Sequence, residues 1–181
     1  MMSPQTRLSN QVLAMARHSL REHHLPRIER CLRMLSEKEI WWRPNASSNS
    51  AGNLVLHLNG NVRQWIVADL GGKPFNRERD KEFSERGPIP RRRLIALLRS
   101  TVQEAGSTIA SLTAANLERE FTIQGFQVTG LRALLHVTEH FAFHTGQIIY
   151  MTKLKRRRDL TFTRLPGDKP KKARRAALPT L

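Results

Sequence analysis

Thiols are almost absent from this chain: Cys31 is its one cysteine, which excludes an intrachain disulfide and is compatible with a reducing cytosol. Its neighbours Ile28, Leu32 and Leu35 mark it as a buried small hydrophobe rather than a catalytic thiol. Long apolar runs are missing too. Nowhere do eighteen apolar residues follow one another, and the opening stretch MMSPQTRLSNQVLAMARHSL has no apolar run long enough for a signal peptide. A cytoplasmic protein without a membrane partner is therefore expected. Acidic residues are scarce, 15 Asp and Glu against 31 Lys and Arg, for a net charge of +16. The excess is uneven, because residues 155–181 hold ten Lys and Arg against Asp159 and Asp168 and so carry half of it. Such a segment has phosphate affinity without sequence preference, so any nucleic-acid binding is expected to be non-specific and through the tail.

What remains is an ordinary globular composition, 39% hydrophobic over 181 residues, enough for one domain with its own core. The expected organisation is an all-α four-helix bundle over residues 1–165, with long inter-helix connections, followed by a basic tail at 166–181 too poor in large apolar side chains to order itself. The apolar period of Leu8, Val12, Met15, Leu20, Ile28 and Leu32 predicts a first helix, split or kinked near His24 by Pro26. Its histidines, His18, His23 and His24, stand among Arg and Glu and read as solvated. Ser47 to Ser50 offer N-caps for a second helix that ends at Gly71-Gly72. The polar stretch Gly71 to Pro90 is too long for a tight turn and reads as a crossover or a lid over the bundle's end. A third helix from about Pro90 to Leu112 supplies packing and no histidine. The Arg91-Arg92-Arg93 run at its start, where the macrodipole disfavours cations, reads as a tolerated surface feature. FTIQGFQVT at 121–129 suggests a short hairpin around Gly125, with Thr129 capping the last helix.

That last helix, LRALLHVTEHFAFHTGQIIYMTKL at 131–154, organises the rest. His136, His140 and His144 recur one turn apart and share a face, with Leu134, Leu135, Val137, Phe141, Ile148 and Ile149 showing that much of the segment is buried. Any one of the rings can be satisfied by backbone or water, but three in register on an apolar helix point to a divalent ion held by neutral imidazoles. On the second helix His57 lies on the apolar face of Leu54, Leu58, Val62 and Trp65, between Asn53 and Asn61, as a site in a bundle core would show. Taken alone, His57 reads better as a hydrogen-bonded core histidine.

NSAGNLVLHLNGNVRQWI (49–66) together with HVTEHFAFHTGQI (136–148) resembles the DinB-like superfamily of metal-binding four-helix bundles, and more specifically an uncharacterised branch of it, over nearly the whole folded part. The resemblance implies a homodimer and a divalent metal on His57, His140 and His144, with His136 outside the ligand set as an outer-shell residue. In related branches the metal activates a low-molecular-weight thiol for transfer or isomerisation. Three nitrogen ligands with a fourth position left to water also match a catalytic rather than a structural zinc site, and nitrogen ligands without thiolates suit zinc first and nickel second. A competing motif, His136-Val-Thr-Glu139-His140, matches the inverted zinc-protease signature with Glu139 as base, but no Glu follows Glu139 to supply a third, acidic ligand. Three classes remain: a metal-dependent thiol S-transferase acting on a small molecule, a metal-dependent hydrolase, and a non-enzymatic metal-binding bundle with incidental nucleic-acid affinity. Gln147 and Asn61, one turn beyond His144 and His57, could orient what binds or could be core amides. Glu139 is the acid close in sequence to the ligands, yet its place beside His140 points it off their stripe.

Overall fold

A computed structural model describes residues 3–163 and 166–167. The basic tail expected from 166 lies outside the described residues except for Pro166 and Gly167.

The first rod runs from α1 (Pro4–His18) through a π-helical stretch (Ser19–His24) into α2 (Leu25–Met34). Pro26 does not split it. The Leu25 amide donates to the Leu20 carbonyl five residues back, and the wider turn carries the helix past the proline. His24 is also not solvated as expected: it is half-buried, its Nδ1 is buried, and its ring centroid lies 6.1 Å from that of Phe141. Short α3 (Glu37–Ile40) is held by a capping box of Ser36 and Glu39. Of the candidate caps, Ser50 is the one used. It starts α4 (Ala51–Val62), which continues as a π-helical stretch (Arg63–Leu70) into Gly71.

The connection that follows contains α5 (Arg79–Ser84) and leads to α6 (Arg91–Ser111). Arg91 is more than a surface feature. Its guanidinium donates to the carbonyl of Leu35 at 3.0 Å, closing a backbone acceptor left open at the end of α2, while its own amide donates to Glu37. After α7 (Ala114–Glu118) comes the expected hairpin, β1 (Glu120–Ile123) paired antiparallel with β2 (Phe126–Thr129), with Phe121 opposite Val128. Thr129 then accepts from the Arg132 amide and starts α8 (Gly130–Arg156).

The four long helical rods form the expected bundle. α4 packs against α5, α6 and α8, and α2 closes against α6 and α8. Leu20, Ile28, Leu32, Leu58, Ile66, Leu94, Leu98, Ile109 and Phe141 are fully buried where they meet. Each such side chain contributes about 1.5–3 kcal/mol, so the bundle has a core independent of any ion. Leu135, expected inside, is 41% exposed. Among the described residues no helix is long and apolar enough to cross a membrane.

Candidate metal centre

Polar rings reach the seam between α4 and α8 because each helix interrupts its apolar stripe with histidine at a position facing the other. His57 comes from α4, and His140 and His144 from successive turns of α8. Their Nε2 atoms converge: His140 Nε2 lies 3.0 Å from that of His57 and 3.1 Å from that of His144. One ligand atom from each of the three lies within 4.8 Å of the others. Two nitrogens on one tetrahedral zinc, at about 2.0–2.1 Å each, stand about 3.3 Å apart, and the two separations from His140 match that to within a few tenths of an ångström.

The outer ring nitrogens decide what the inner ones are. His57 Nδ1 meets Glu82 Oε2 at 2.8 Å. Arg77 Nη2 is 3.2 Å from the same nitrogen but donates to Glu82 Oε2 at 2.8 Å. Because the guanidinium has the carboxylate for its acceptor, His57 Nδ1–H donates to Glu82 and Nε2 keeps its lone pair for the cluster. His144 Nδ1 likewise faces Gln147 Oε1 at 2.7 Å. Two inward lone pairs therefore confront His140 Nε2, whose single proton, if it sits there, satisfies only one of them. A cation satisfies all three. His140 Nδ1 is buried with no hydrogen-bond partner among the described residues.

Charge agrees with geometry. Burial lowers the His140 pKa to about 3, with the neighbouring His144 and His57 adding to it. Burial also lowers that of His144, against its hydrogen bond to Gln147. Both rings are neutral, hence ligand-competent, across the physiological range. Burial pushes the Glu82 carboxyl up, but hydrogen bonds from Arg77 and His57 outweigh it and hold Glu82 below the usual range, so it is ionised.

Glu82 and Arg77 reach the site through the connection between the second and third rods, and the sequence reading missed both. α5 lies against α4: Asn53 Nδ2 donates to the carbonyls of Glu82 at 3.0 Å and Glu85 at 2.9 Å, while its Oδ1 completes the Ser50 cap. Phe83 sets its ring 4.6 Å from that of His57. Gly60 makes the approach of Glu82 sterically feasible, since a Cβ there would lie 1.9 Å from Glu82 Oε1. Those three, Asn53, Gly60 and the acid of the polar connection, were the available signals, but no period links them.

Of the other residues singled out, Gln147 is on the site and Asn61 is buried on α4, its Oδ1 unpaired among the described residues. His136 stacks on Trp65, centroids 4.1 Å apart, and makes no hydrogen bond to a ligand ring. Glu139 is 68% exposed at its side chain and sits 3.9 Å from Arg132. The inverted protease arrangement is therefore not formed: His136 stays outside the cluster and the acid faces solvent.

Residues 7–169 match the family described as "Protein of unknown function (DUF1572)", and the chain belongs to that family. No curated protein matches it by sequence. Among solved structures it is similar to a DinB-like protein from Bacillus subtilis, with 20% identity, a TM-score of 0.59, and 80% of this chain and 92% of that one covered. A DinB-like protein from Bacillus cereus matches at 15% identity and TM-score 0.57, over 73% of this chain and 85% of that one. A conserved protein from Enterococcus faecalis matches at 17% identity and TM-score 0.60, over 85% and 98%. The fold is thus that of the DinB-like proteins, as the motifs of α4 and α8 implied.

Proposed function

We propose that His57, His140 and His144 hold one divalent ion, zinc first and nickel second, and that the chain is a metal-dependent enzyme of the thiol S-transferase kind. The observation that carries the metal is the convergence of three Nε2 atoms, two of them with outer nitrogens committed to Glu82 and Gln147. Bound by three neutral imidazoles, such an ion keeps its full charge and lowers the pKa of a thiol or water at the position left open.

The chain's own residues prepare that position. Glu82 holds the His57 ring and tautomer, and Arg77 keeps Glu82 ionised and in place. Gln147 does the same for His144. Phe83 packs against the His57 ring, centroids 4.6 Å apart, and limits how that ring can turn. Beside His144 opens a hollow of about 580 Å³ walled by Leu54, Phe143, Gln147 and Tyr150, a size suited to a small molecule.

Cobalt substitution tests the reading. Addition of small thiols to the cobalt protein is expected to produce sulfur-to-metal charge-transfer absorption. Silence toward every thiol, combined with turnover of an ester or amide, would replace the transferase by a hydrolase that uses water at the same position; absence of any exchangeable ligand would leave a non-enzymatic site.

A further inference from the structure

Two hollows open beside α8, and Gly146 borders both. The one beside His144 has no Lys, Arg, Asp or Glu in its wall among the described residues; Phe143, Tyr150 and Met151 give it apolar surface beside the neutral polar Ser47, Ser48 and Asn49. The other, about 400 Å³, lies toward the π-helical stretch of the first rod and has a different character. Arg27 and Lys153 border it, with Asp159 the one acid among the described residues of its wall, beside His24, Thr145 and Phe162.

The polar groups of this second hollow are under-used. His24 Nδ1 is buried and finds no partner among the described residues. Arg27 spends one N–H on the His23 carbonyl at 2.5 Å, leaving others of its fork. Lys153 approaches Asp159 at 3.3 Å, but both side chains are about half-exposed or more, and such a pair is weak and readily exchanged. At Gly146 the helix presents no side chain between the hollows, and a Cβ built there would meet nothing within 4 Å. An extended ligand can therefore cross from one to the other, and the chain's net charge of +16 favours an anion.

We propose that Arg27, Lys153 and His24 form a subsite for the oxyanion end of an elongated small molecule, whose apolar body crosses Gly146 into the hollow beside His144. The assignment of the reactive end to the histidine cluster rests on the metal-site reading above; the oxyanion seat stands on its own residues. It narrows the substrate class to molecules with a carboxylate or phosphate several bonds away from the reacting group.

Titration of the full-length protein with acetate, hexanoate, 1-hexanol and inorganic phosphate, followed by calorimetry and by amide chemical shifts at His24 and Thr145, tests it. Hexanoate is expected to bind saturably and at least tenfold more tightly than 1-hexanol, with shifts at both residues. The double variant Arg27→Gln, Lys153→Gln should erase that difference. Gly146→Phe should erase the advantage of hexanoate over acetate, while Gly146→Ala, a better helix former on an exposed face, keeps it. Displacement of hexanoate by inorganic phosphate supports a general oxyanion seat, and its failure to displace supports a seat specific for carboxylate. Equal binding of hexanoate and 1-hexanol, or hexanoate binding unchanged in the double variant, would overturn the proposal. Metal content measured on the same samples reads the histidine site separately, so its failure is not confused with failure of the anion seat.

Discussion

The inner face of α8 and the connection from Gly71 to Pro90 both end at the same three imidazoles, yet they arrive by opposite routes. On α8 a period of four residues places His140 and His144 together, and the helix needs no partner to do so. Glu82 and Arg77 lie in a polar stretch with no period, and they meet His57 only because Asn53 ties the carbonyls of 82 and 85 to the start of α4 and Gly60 leaves room. One region presents two of the ligands, and the other sets the tautomer of the third, His57. The first is local geometry; the second is tertiary contact.

Removing ligands should have the largest effect. His57→Ala, His140→Ala and His144→Ala are each expected to reduce bound metal from about one equivalent to near none while circular dichroism stays helical, because the core does not include these rings. His136→Ala should keep the metal. If it does not, and His57→Ala does, the ligand set is wrong.

Attacking the connection should cost less metal and more fold. Glu82→Gln keeps the shape but accepts the His57 hydrogen bond without a negative charge, so metal affinity is expected to fall about 10–100-fold in a competition titration. Both variants leave Arg77, whose side chain is 5% exposed, without its counter-charge. Stranding a buried charge costs about 3–5 kcal/mol, so chemical denaturation should show both less stable than the parent, with Glu82→Ala the lower because it also removes the side-chain acceptor for Arg77 and His57. Gly60→Ala touches no ligand, yet its methyl must expel the Glu82 carboxylate; its metal affinity should resemble that of Glu82→Gln. Unchanged affinity in both would show that the connection is only a cover.

The smallest effect concerns acid. Burial lowers the His24 pKa to about 4, with His23 and Arg27 adding to it, whereas the unfolded ring titrates near 6.5. Below that value the unfolded chain takes up a proton that the folded chain refuses until about pH 4. Stability is therefore whole above the unfolded value and declines as pH falls from about 6.5 to about 4. His24→Leu should flatten that limb of the thermal denaturation profile by one histidine's share, and a profile as steep as the parent's would remove His24 from the account.

The helical rods were legible in the sequence wherever an apolar period met a strong cap. Thr129 and Ser50 start α8 and α4 where the sequence places caps, and Gly71 follows the π-helical end of the second rod. The hairpin was legible from β-type residues around Gly125. Two local readings failed for one reason: the Leu25 amide before Pro26 reaches the Leu20 carbonyl through a π turn and the Arg91 guanidinium reaches the end of α2, and residue type does not disclose where such acceptors are. His24 failed similarly, since charged neighbours in sequence did not prevent burial against Phe141.

By itself the sequence determined the bundle and the stripe of α8, because helical periodicity converts residue spacing directly into a shared face. It could not decide that His57 would face His140 rather than pack as a core histidine, that His136 would turn to Trp65, or that an acid 25 residues from His57 would become its hydrogen-bond partner. Those choices belong to the tertiary structure. A buried polar ring takes whichever partner the surrounding elements bring within about 3 Å, and that is a property of how helices and connections pack, with no trace in the local order of residues.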